Sequence, residues 1–458
     1  MLKLQIMNVS NFFHPDLTKD NIAKSLLAFT LPLMISLVFQ QFYNAVDTII
    51  VGHYLGETSL AAIGACASIY ELLVGFGTGF GNGLGIVAAR AYGANNIEQL
   101  KKVVASSAVI TVFVTIFIMI FGQLTLKPIL SFLGTPSEII EEAYSYIWFI
   151  AIFSGVLFAY NILSGLLRAI GNSFMPLVFL IISSFLNIFL DILMIVKFNL
   201  GVKGTAIATV AAQGISALLC FFYIIYKVKI LIPTKKHFKA ESKLYSDLIG
   251  QGLSMALMSA IVSSGSVVLQ APINSFGTMI IAGHISARKI FGITNIPLIA
   301  IGTAAATFVS QNLGAQKIDR IKKVVRTANI MCVIWGILCT VVIPLTAKIL
   351  ISAISGSSNE EVISYGSKYI IFMQPFYAIL GILVVTRNSL QGLGSKIVPL
   401  FSSVIEFLGK VLFTVAIIPH TGIRGIIMCE PLIWCAMTVQ LVWAYKIKIE
   451  KVQIQTRL

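Results

Sequence analysis

The stretch "GNGLGIVAARAYGANNIEQLKKVV", Gly81 to Val104, recurs in altered form as "GTAAATFVSQNLGAQKIDRIKKVV", Gly302 to Val325. The glycines, the Gly-Ala pair and the closing Lys-Lys-Val-Val coincide when Gly81 is aligned with Gly302. A second alignment, at a nearly equal offset, pairs "LLRAIGNSFMPL" (166–177) with "SLQGLGSKIVPL" (389–400). Self-similarity over such a distance predicts that the chain consists of two related halves.

The composition predicts that both halves lie in a membrane. The chain has 458 residues, of which 57% are hydrophobic and 11% charged, with a mean hydropathy of +0.92. Soluble domains carry about 25% charged residues, and a membrane-spanning helix needs about 20 mostly apolar ones. Such segments cover roughly 26–51, 60–89, 103–126, 140–167, 174–196, 204–226, 247–272, 279–310, 324–346, 362–386, 397–418 and 425–445. The predicted fold class is therefore an all-α polytopic membrane protein with twelve transmembrane helices.

The repeat also predicts how the twelve spans are organised. Each half contains six spans, an even number, so both halves enter the membrane from the same side and form a parallel repeat of two six-helix lobes. The predicted parts are a cytoplasmic N-terminal segment (1–25), an N-lobe (26–226), a basic cytoplasmic linker (227–246), a C-lobe (247–445) and a basic cytoplasmic tail (446–458). Two such lobes permit alternating access to a site between them.

The net charge of +15 is distributed unevenly along the chain. Lys and Arg, Arg387 among them, concentrate in both termini and in the even-numbered connections between spans. The opposite side has only Lys127, Lys197, Lys203, Lys348 and Arg424. The positive-inside rule therefore predicts that both termini lie in the cytoplasm. We expect the protein to lie in the plasma membrane. The excess charge indicates contact with anionic lipid and excludes nucleic acid as a partner.

Four polar residues inside the N-lobe spans form a candidate cation site. Asp47, Asp191 and Thr209 lie at similar predicted depths near the outer ends of spans 1, 5 and 6, and Asn187 lies one helical turn from Asp191. A charged residue inside a membrane costs roughly 2.5–3.5 kcal/mol on insertion scales, which indicates a function. Two carboxylates, an amide and a hydroxyl suit Na⁺ or a shared proton. For Asn187 or Thr209 alone, hydrogen bonding between helices remains an alternative.

Several motifs resemble those of a known transporter family. The sequence reads "LAFTLPLMISLVFQQFYNAVDTIIVGHYLGETSLAAIG" at 27–64, "ARAYGA" at 89–94, "NILSGLLRAIGNSFMPL" at 161–177, "LNIFLDILMI" at 186–195 and "GVKGTAIATVAAQ" at 201–213. In their order, these motifs resemble the multidrug and toxic compound extrusion (MATE) family, and its DinF-type branch in particular. The resemblance covers residues 20–446. It implies the MATE fold and the export of organic, often cationic, compounds by antiport with Na⁺ or H⁺.

The resemblance also implies roles for individual residues. The cation site of the DinF-type branch falls on Asp47, Asn187, Asp191 and Thr209, and the N-lobe cavity of the family falls on Tyr43, Tyr146 and Asn161. The proline that is proposed to bend helix 1 on protonation falls on Pro32, where a proline within a helix predicts a kink in any case. The other main branch has acidic residues in spans 7 and 10 that this chain lacks, so cation coupling of that type is not expected in the C-lobe.

The C-lobe has a polar cluster of its own. Glu406 and Lys410 are i and i+4 in span 11 and therefore share one face of a helix. In the alignments of the two halves, Lys410 corresponds to Asn187 and Glu430 corresponds to Thr209. We therefore expect Lys410 to pair with Glu406 or Glu430. The pair either neutralises itself or contacts substrate.

Two further charged residues within spans each have two interpretations. Glu71, in span 2, either lines the substrate cavity and attracts cationic compounds or extends to the membrane surface. Arg288, in span 8, matches a basic position that is common in the DinF-type branch, where its role is either structural or functional.

Other functions find little support in the sequence. It contains no phosphate-binding glycine loop, no Ser/His/Asp set and no His/Cys spacing typical of a metal site, so we expect no enzyme, no cofactor and no metal beyond Na⁺. The nearest alternative is a flippase for lipid-linked oligosaccharides or lipids from the same wider superfamily. Twelve spans and an acidic N-lobe argue against it. The predicted partners are organic small molecules and membrane lipid, and the predicted state is a monomer.

Overall fold

The computed structural model describes residues 15–457, and every regular element within that range is a helix. In the described range, eleven helices are long and apolar enough to cross a membrane, and one bent pair of helices supplies a twelfth crossing. These elements confirm the predicted fold class. We number the crossings α1 to α12 and mark the two parts of an interrupted crossing with letters.

The first half contains six crossings. Their bounds are α1 Ile22–Leu55, α2 Glu57–Gly93, α3 Ile97–Phe132, α4a Ile140–Ile152, α4b Ser154–Ala169, α5 Phe174–Ile192 and α6 Gly201–Lys227. The axes of α4a and α4b differ by 47°. A π-helical turn, Leu193–Lys197, directly follows α5.

The second half has the same order of elements. Its crossings are α7 Ser242–Asn274, α8 Thr278–Gly314, α9 Ile318–Ser355, α10a Glu360–Met373, α10b Tyr377–Gly392, α11 Ile397–Leu412 and α12 Ile423–Arg457. A 3₁₀ turn, Gln374–Phe376, separates the two parts of α10. A π-helical turn, Phe413–Ile417, and a short helix, Ile418–Thr421, follow α11.

The backbone repeats the internal similarity of the sequence. Gly56 and Gly277, which correspond when Gly81 is aligned with Gly302, precede α2 and α8 with φ of 84° and 92°. Both angles lie in a region that glycine adopts without steric cost. The π-helical turns after α5 and α11 also occupy equivalent places in the two halves. The two halves therefore share local backbone features as well as the order of their helices.

The first of two compact units runs from Leu31 to Ser259 and also takes in the described residues up to Asp16. It therefore includes the first half of α7. Glycines of α2 allow this contact, since a Cβ atom on Gly83 would lie 2.6 Å from the Gln251 carbonyl oxygen and one on Gly79 would lie 2.7 Å from that of Met255. Small residues are typical of closely packed membrane helices.

The predicted basic linker at 227–246 is folded. It contains two short 3₁₀ helices, Lys229–Leu231 and Lys235–Phe238. Leu231 is buried in the apolar core of the first unit. The Nε2 atom of His237 lies 3.2 Å from a carboxylate oxygen of Glu98 at the start of α3. Apolar burial and this polar contact therefore hold the linker against the first unit.

The second compact unit contains Leu17–Thr30 and the chain from Ala260 onward. Leu17 is buried, and its carbonyl oxygen accepts hydrogen bonds from Asn312 Nδ2 at 3.1 Å and from Arg320 Nε at 3.2 Å. Of the predicted N-terminal segment (1–25), residues 1–14 lie outside the described residues. Of the predicted tail (446–458), α12 includes all but Leu458, which also lies outside them.

Two apolar clusters form the interior of the first unit. One includes Tyr160 and Leu180, and the other includes Tyr146 with Ile188 packed against it. These residues come from α4 and α5, and both helices contribute to both clusters. Tyr160 and Leu180 also line a cavity that contains several of the predicted site residues.

Candidate functional site

Two carboxyl groups meet inside the first unit. Asp47 belongs to α1, and Asp191 is the penultimate residue of α5, directly before the π-helical turn. The side chain of Asp47 lies within hydrogen-bonding reach of the side chain of Asp191, which is 0% exposed. Two carboxylates in such contact repel one another unless they share a proton or a cation. The pair can therefore hold one positive charge.

Several buried polar atoms around this pair have no hydrogen-bond donor or acceptor among the described residues. They are Asp47 Oδ1, both carboxylate oxygens of Asp191 and both polar atoms of the Asn187 amide; elsewhere in the same unit, the Thr205 hydroxyl is also buried without a partner among the described residues. Buried polar atoms in folded proteins are nearly always paired, and an exception calls for an explanation. Oxygen atoms from carboxylates, an amide and a hydroxyl are the ligands of a hard cation. Thr205 lies one helical turn before Thr209 in α6 and therefore shares a helix face with it. That spacing could have identified Thr205 as a candidate from the sequence.

A cavity of about 70 Å³ lies in the same unit. Among the predicted residues, Tyr43, Asn161, Asn187 and Thr209 line it, and they come from α1, α4b, α5 and α6. Further polar lining comes from Gln40, Asn44, Tyr70, Thr78, Tyr160, Ser183, Ser184, Gln213 and Ser216, none of which the sequence analysis identified. The volume is enough for a few water molecules. Sites for drug-sized ligands are larger, with volumes that begin at roughly 300 Å³.

Hydrogen bonds fix two of the lining residues. The Tyr43 hydroxyl is hydrogen-bonded with Tyr70 and Gln213. Asn161 Oδ1 accepts a hydrogen bond from the Thr78 hydroxyl at 3.2 Å, and its Nδ2 donates to the Leu157 carbonyl at 2.9 Å. Asn161 is therefore held in place, whereas Asn187 has no such contact among the described residues.

Five predicted residues of the first half lie outside the cavity lining, Asp47 and Asp191 among them. Tyr146 is buried in an apolar cluster, where it interacts electrostatically with Asp47 and Asp191. Glu71 has an exposed side chain. The preceding residue, Tyr70, lines the cavity, and one step along a helix turns the side chain by about 100°, so Glu71 points away from the cavity. Pro32 lies within α1, which continues as a helix on both sides of it, so the kink at this position stays a prediction.

The second unit contains a network of charged side chains. Lys410 Nζ lies 3.1 Å from Glu406 Oε1 and 3.4 Å from Glu430 Oε1. Arg288 Nη1 donates to Glu430 Oε2 at 2.7 Å, and Arg387 Nη2 lies 3.8 Å from Glu406 Oε2. Lys410 is 1% exposed, and both glutamates and Arg387 are also buried. The expected pairing of Lys410 with Glu406 or Glu430 thus occurs with both residues at once.

Two arginines of this network were not predicted as partners. We placed Arg387 in a connection between spans, but it lies within α10b and is buried there. Glu406 balances its charge, but Nε and Nη2 of Arg387 are buried without a hydrogen-bond partner among the described residues. Arg288 lies in α8, far from Glu430 along the chain, and no local pattern in the sequence links the two.

Lys410 is charged, whereas the residue at the corresponding position of the first half is neutral. In the alignments of the two halves, Lys410, Glu430 and Tyr369 correspond to Asn187, Thr209 and Tyr146. Tyr369 donates a hydrogen bond to Glu430 at 3.5 Å, and Tyr146 interacts electrostatically with the carboxyl pair of the first unit. The second half therefore has an ammonium group of its own, bonded to two carboxylates, at a place where the first half has unpaired polar atoms.

Comparison with known proteins identifies the family. Residues 32–193 and 254–416 match the sequence model of the family described as MatE. The chain belongs to the MatE family. Its two matched segments correspond to the two halves of the repeat. Membership identifies this MATE protein as a transporter and not as an enzyme.

Curated relatives of this MATE protein extend over most of its length. The chain is 27% identical over 396 residues to a probable multidrug resistance protein, YpnP, of Bacillus subtilis, and the match covers 86% of this chain and 87% of the relative. It is 22% identical over 325 residues to the multidrug export protein MepA of Staphylococcus aureus, with 71% and 72% coverage.

Solved structures share the MATE fold. A crystal structure described as MATE in the bent conformation has a TM-score of 0.89 at 20% identity, and the match covers 96% of this chain and 98% of the other. A transporter of the MOP superfamily from Pyrococcus furiosus, described as having a binding pocket of reverse polarity, has a TM-score of 0.87 at 21% identity, with 95% and 98% coverage.

Proposed function

We propose that this MATE protein is a secondary active exporter of organic, often cationic, compounds. It lies in the plasma membrane with both termini in the cytoplasm, acts as a monomer and exchanges its substrate for inward-moving Na⁺ or H⁺. The curated relatives, named as probable multidrug resistance and multidrug export proteins, support the substrate class. No cofactor is needed, because the ion gradient supplies the free energy.

The contact between Asp47 and Asp191 carries the proposal of ion coupling. Their carboxyl groups meet in the interior, and several oxygen atoms around them lack donors among the described residues. A proton shared by the two carboxyls, or Na⁺ bound by Asp47, Asn187, Asp191 and the hydroxyl of Thr209, balances one of the two negative charges of this site. Thr205 is a further candidate ligand.

The size of the cavity supports a cycle with more than one conformation. A cavity of about 70 Å³ is too small for a drug-sized compound, so the helices that line it must separate before substrate enters. Binding of the cation and binding of the substrate then favour different conformations, which is the thermodynamic basis of coupling. In this alternating-access scheme, the cation promotes release of substrate on the outside.

We assign the charged network of the second unit a supporting role. The Lys410 ammonium, together with Arg288 and Arg387, balances the charges of Glu406 and Glu430 permanently, whereas a cation would bind only transiently in the first unit. Because its charge is covalently attached, the network does not exchange ions during the cycle. This role is the self-neutralising alternative for the cluster of Glu406, Lys410 and Glu430.

Transport in proteoliposomes tests the proposal. One set of vesicles has an imposed Na⁺ gradient at equal pH, and a second has an imposed pH gradient without Na⁺. We expect one gradient to drive the movement of a fluorescent cationic dye, and an ionophore that dissipates that gradient to stop it. Dye movement that is the same with and without either gradient would refute ion coupling.

The flippase alternative has one structural observation in its favour. The network of the second unit contains three cationic groups against two carboxylates, and this excess suits an anionic ligand. The same proteoliposomes, prepared with a fluorescently labelled lipid-linked sugar, measure its movement between leaflets. Labelled lipid that moves, with a dye that does not, would favour the flippase over the exporter.

A further inference from the structure

A groove on the second unit is separate from both polar sites. It has a volume of about 440 Å³ and lies between α9 and α12. Its lining consists of Lys322, Val325, Arg326, Asn329, Ile330, Val333 and Ile334 of α9 and Tyr445 of α12. The α9 residues recur every three or four positions and thus share one helix face. At about 1.5 Å per residue, they extend roughly 18 Å along the helix.

Positive charge concentrates at one end of this groove. Lys322 and Arg326 belong to the lining, which includes no acidic residue. Lys322 Nζ donates a hydrogen bond to Gln453 Oε1 at 2.7 Å. Arg326 is exposed and has no carboxylate partner among residues 15–457. The groove therefore presents two cations whose charge no side chain of its lining balances.

Two polar atoms lie next to these cations. The side-chain oxygen of Asn329 and the hydroxyl of Tyr445 are both buried and have no hydrogen-bond partner within the described part of the chain. Beyond them, the lining is apolar, and Ile330 and Ile334 have exposed side chains. The groove thus changes along its length from cationic to polar and then to apolar.

The repeat indicates that the fold does not require this pattern. When Gly81 is aligned with Gly302, Lys322 corresponds to Lys101, but Arg326 corresponds to Ala105. In the same way, Asn329 corresponds to Ala108 and Tyr445 to Ile224. The equivalent positions of the first half therefore have one of the two cations and neither of the unpaired polar groups.

We propose that this groove binds an anionic phospholipid. The phosphate contacts Lys322 and Arg326, the glycerol and ester groups pair with Asn329 and Tyr445, and one acyl chain lies along Ile330 and Ile334. One leaflet of the hydrocarbon core is about 15 Å thick, which matches the length of the groove. Basic pockets between membrane helices are known to bind acidic lipid headgroups.

Native mass spectrometry of the full chain in a neutral detergent tests this site. The protein is titrated with dioleoylphosphatidylglycerol and, separately, with the zwitterionic dioleoylphosphatidylcholine. We expect one phosphatidylglycerol molecule to bind with clear preference. The double variant Lys322→Gln/Arg326→Gln should weaken its binding roughly 30-fold, since each cation near a membrane surface contributes about a factor of five.

A control variant removes two positive charges from the first half instead of from the groove. Lys101→Gln/Lys102→Gln lies at the equivalent surface of the first half and should leave the preference unchanged. Tyr445→Phe tests the polar part and should weaken binding without any change of charge. If the double variant fails to fold, Arg326→Gln alone carries the test, because Arg326 is exposed. Equal binding of both lipids to the wild type, or equal losses in the two charge variants, would overturn the proposal.

Discussion

Lys410 occupies, in the second half of the chain, the position that Asn187 occupies in the first. Lys410 Nζ contacts Glu406 and Glu430, whereas neither polar atom of the Asn187 amide has a partner among the described residues. The two halves thus share a backbone framework but differ in how they satisfy polar groups at an equivalent depth. This difference supports the proposal that ion exchange belongs to the first half.

The carboxyl pair is the first target for substitution. Asp47→Asn and Asp191→Asn each remove one of the two groups to which we assign the coupling cation. We expect each variant to fold and to lose gradient-driven dye efflux down to the level of empty liposomes. Glu138→Gln, an exposed carboxylate in a connection, is the control and should transport normally. Full efflux in both aspartate variants would contradict the assignment.

Substitution of Asn187 tests whether its amide binds the coupling cation or only stabilises the packing of helices. Asn187→Leu removes two unpaired polar atoms from the interior, so the thermal unfolding temperature should stay the same or rise. Efflux should nevertheless fall at least tenfold, because a ligand of the cation is lost. Asn161→Leu is the counterpart, since it breaks hydrogen bonds to Thr78 and Leu157 and should lower the unfolding temperature. If Asn187→Leu transports like the wild type, the amide has no part in the site.

Lys410 should be important for stability. Lys410→Met leaves Glu406 and Glu430 without the ammonium group that both contact, and loss of one partner of a buried ion pair typically costs about 3–5 kcal/mol. We expect a lower unfolding temperature in detergent. Glu406→Gln/Lys410→Met removes one charge of each sign and should restore part of the loss at most, since Glu430 keeps Arg288 but the buried Arg387 loses its carboxylate partner. Normal transport by this double variant would agree with a supporting role, and its loss would point to contact with substrate.

The packing of α2 predicts a contrast between two glycines. A Cβ atom on Gly83 would lie 2.6 Å from the Gln251 carbonyl oxygen, whereas one on Gly64 would have no atom within 4 Å. Gly83→Ala should therefore destabilise the protein by about 1–3 kcal/mol. Gly64→Ala should be neutral or slightly stabilising, because alanine favours the helix by about 1 kcal/mol. Thermal unfolding of both variants checks this, and equal effects would contradict the close approach.

The sequence contained enough information for the fold because its signals are local or periodic. Apolar segments mark the crossings, and the correspondence between Gly81 and Gly302 marks the repeat. The distance of each residue from the outer end of its span was enough to group Asp47 with Asp191. Their side chains meet in the structure. The spacing of Glu406 and Lys410 likewise indicated their contact.

Contacts between distant helices could not be predicted in this way. Arg288 and Glu430 lie far apart along the chain, and their pairing depends on how α8 and α12 pack. The same holds for Tyr70 and Gln213, which bond with Tyr43 from other helices. The rotation of a helix about its axis decides which side chains face a cavity, and an apolar helix gives little indication of that rotation.

The division of the chain into units has a consequence for its biosynthesis. The first unit ends at Ser259, within the seventh crossing, so it cannot close when the sixth crossing leaves the ribosome. Leu17–Thr30 is made early but belongs to the second unit, and Leu17 must wait for its hydrogen-bond partners Asn312 and Arg320 in the eighth and ninth crossings. A gene cut at the linker would separate each unit from a stretch that it needs. The two fragments that result from this cut should therefore assemble only when both are produced in the same cell.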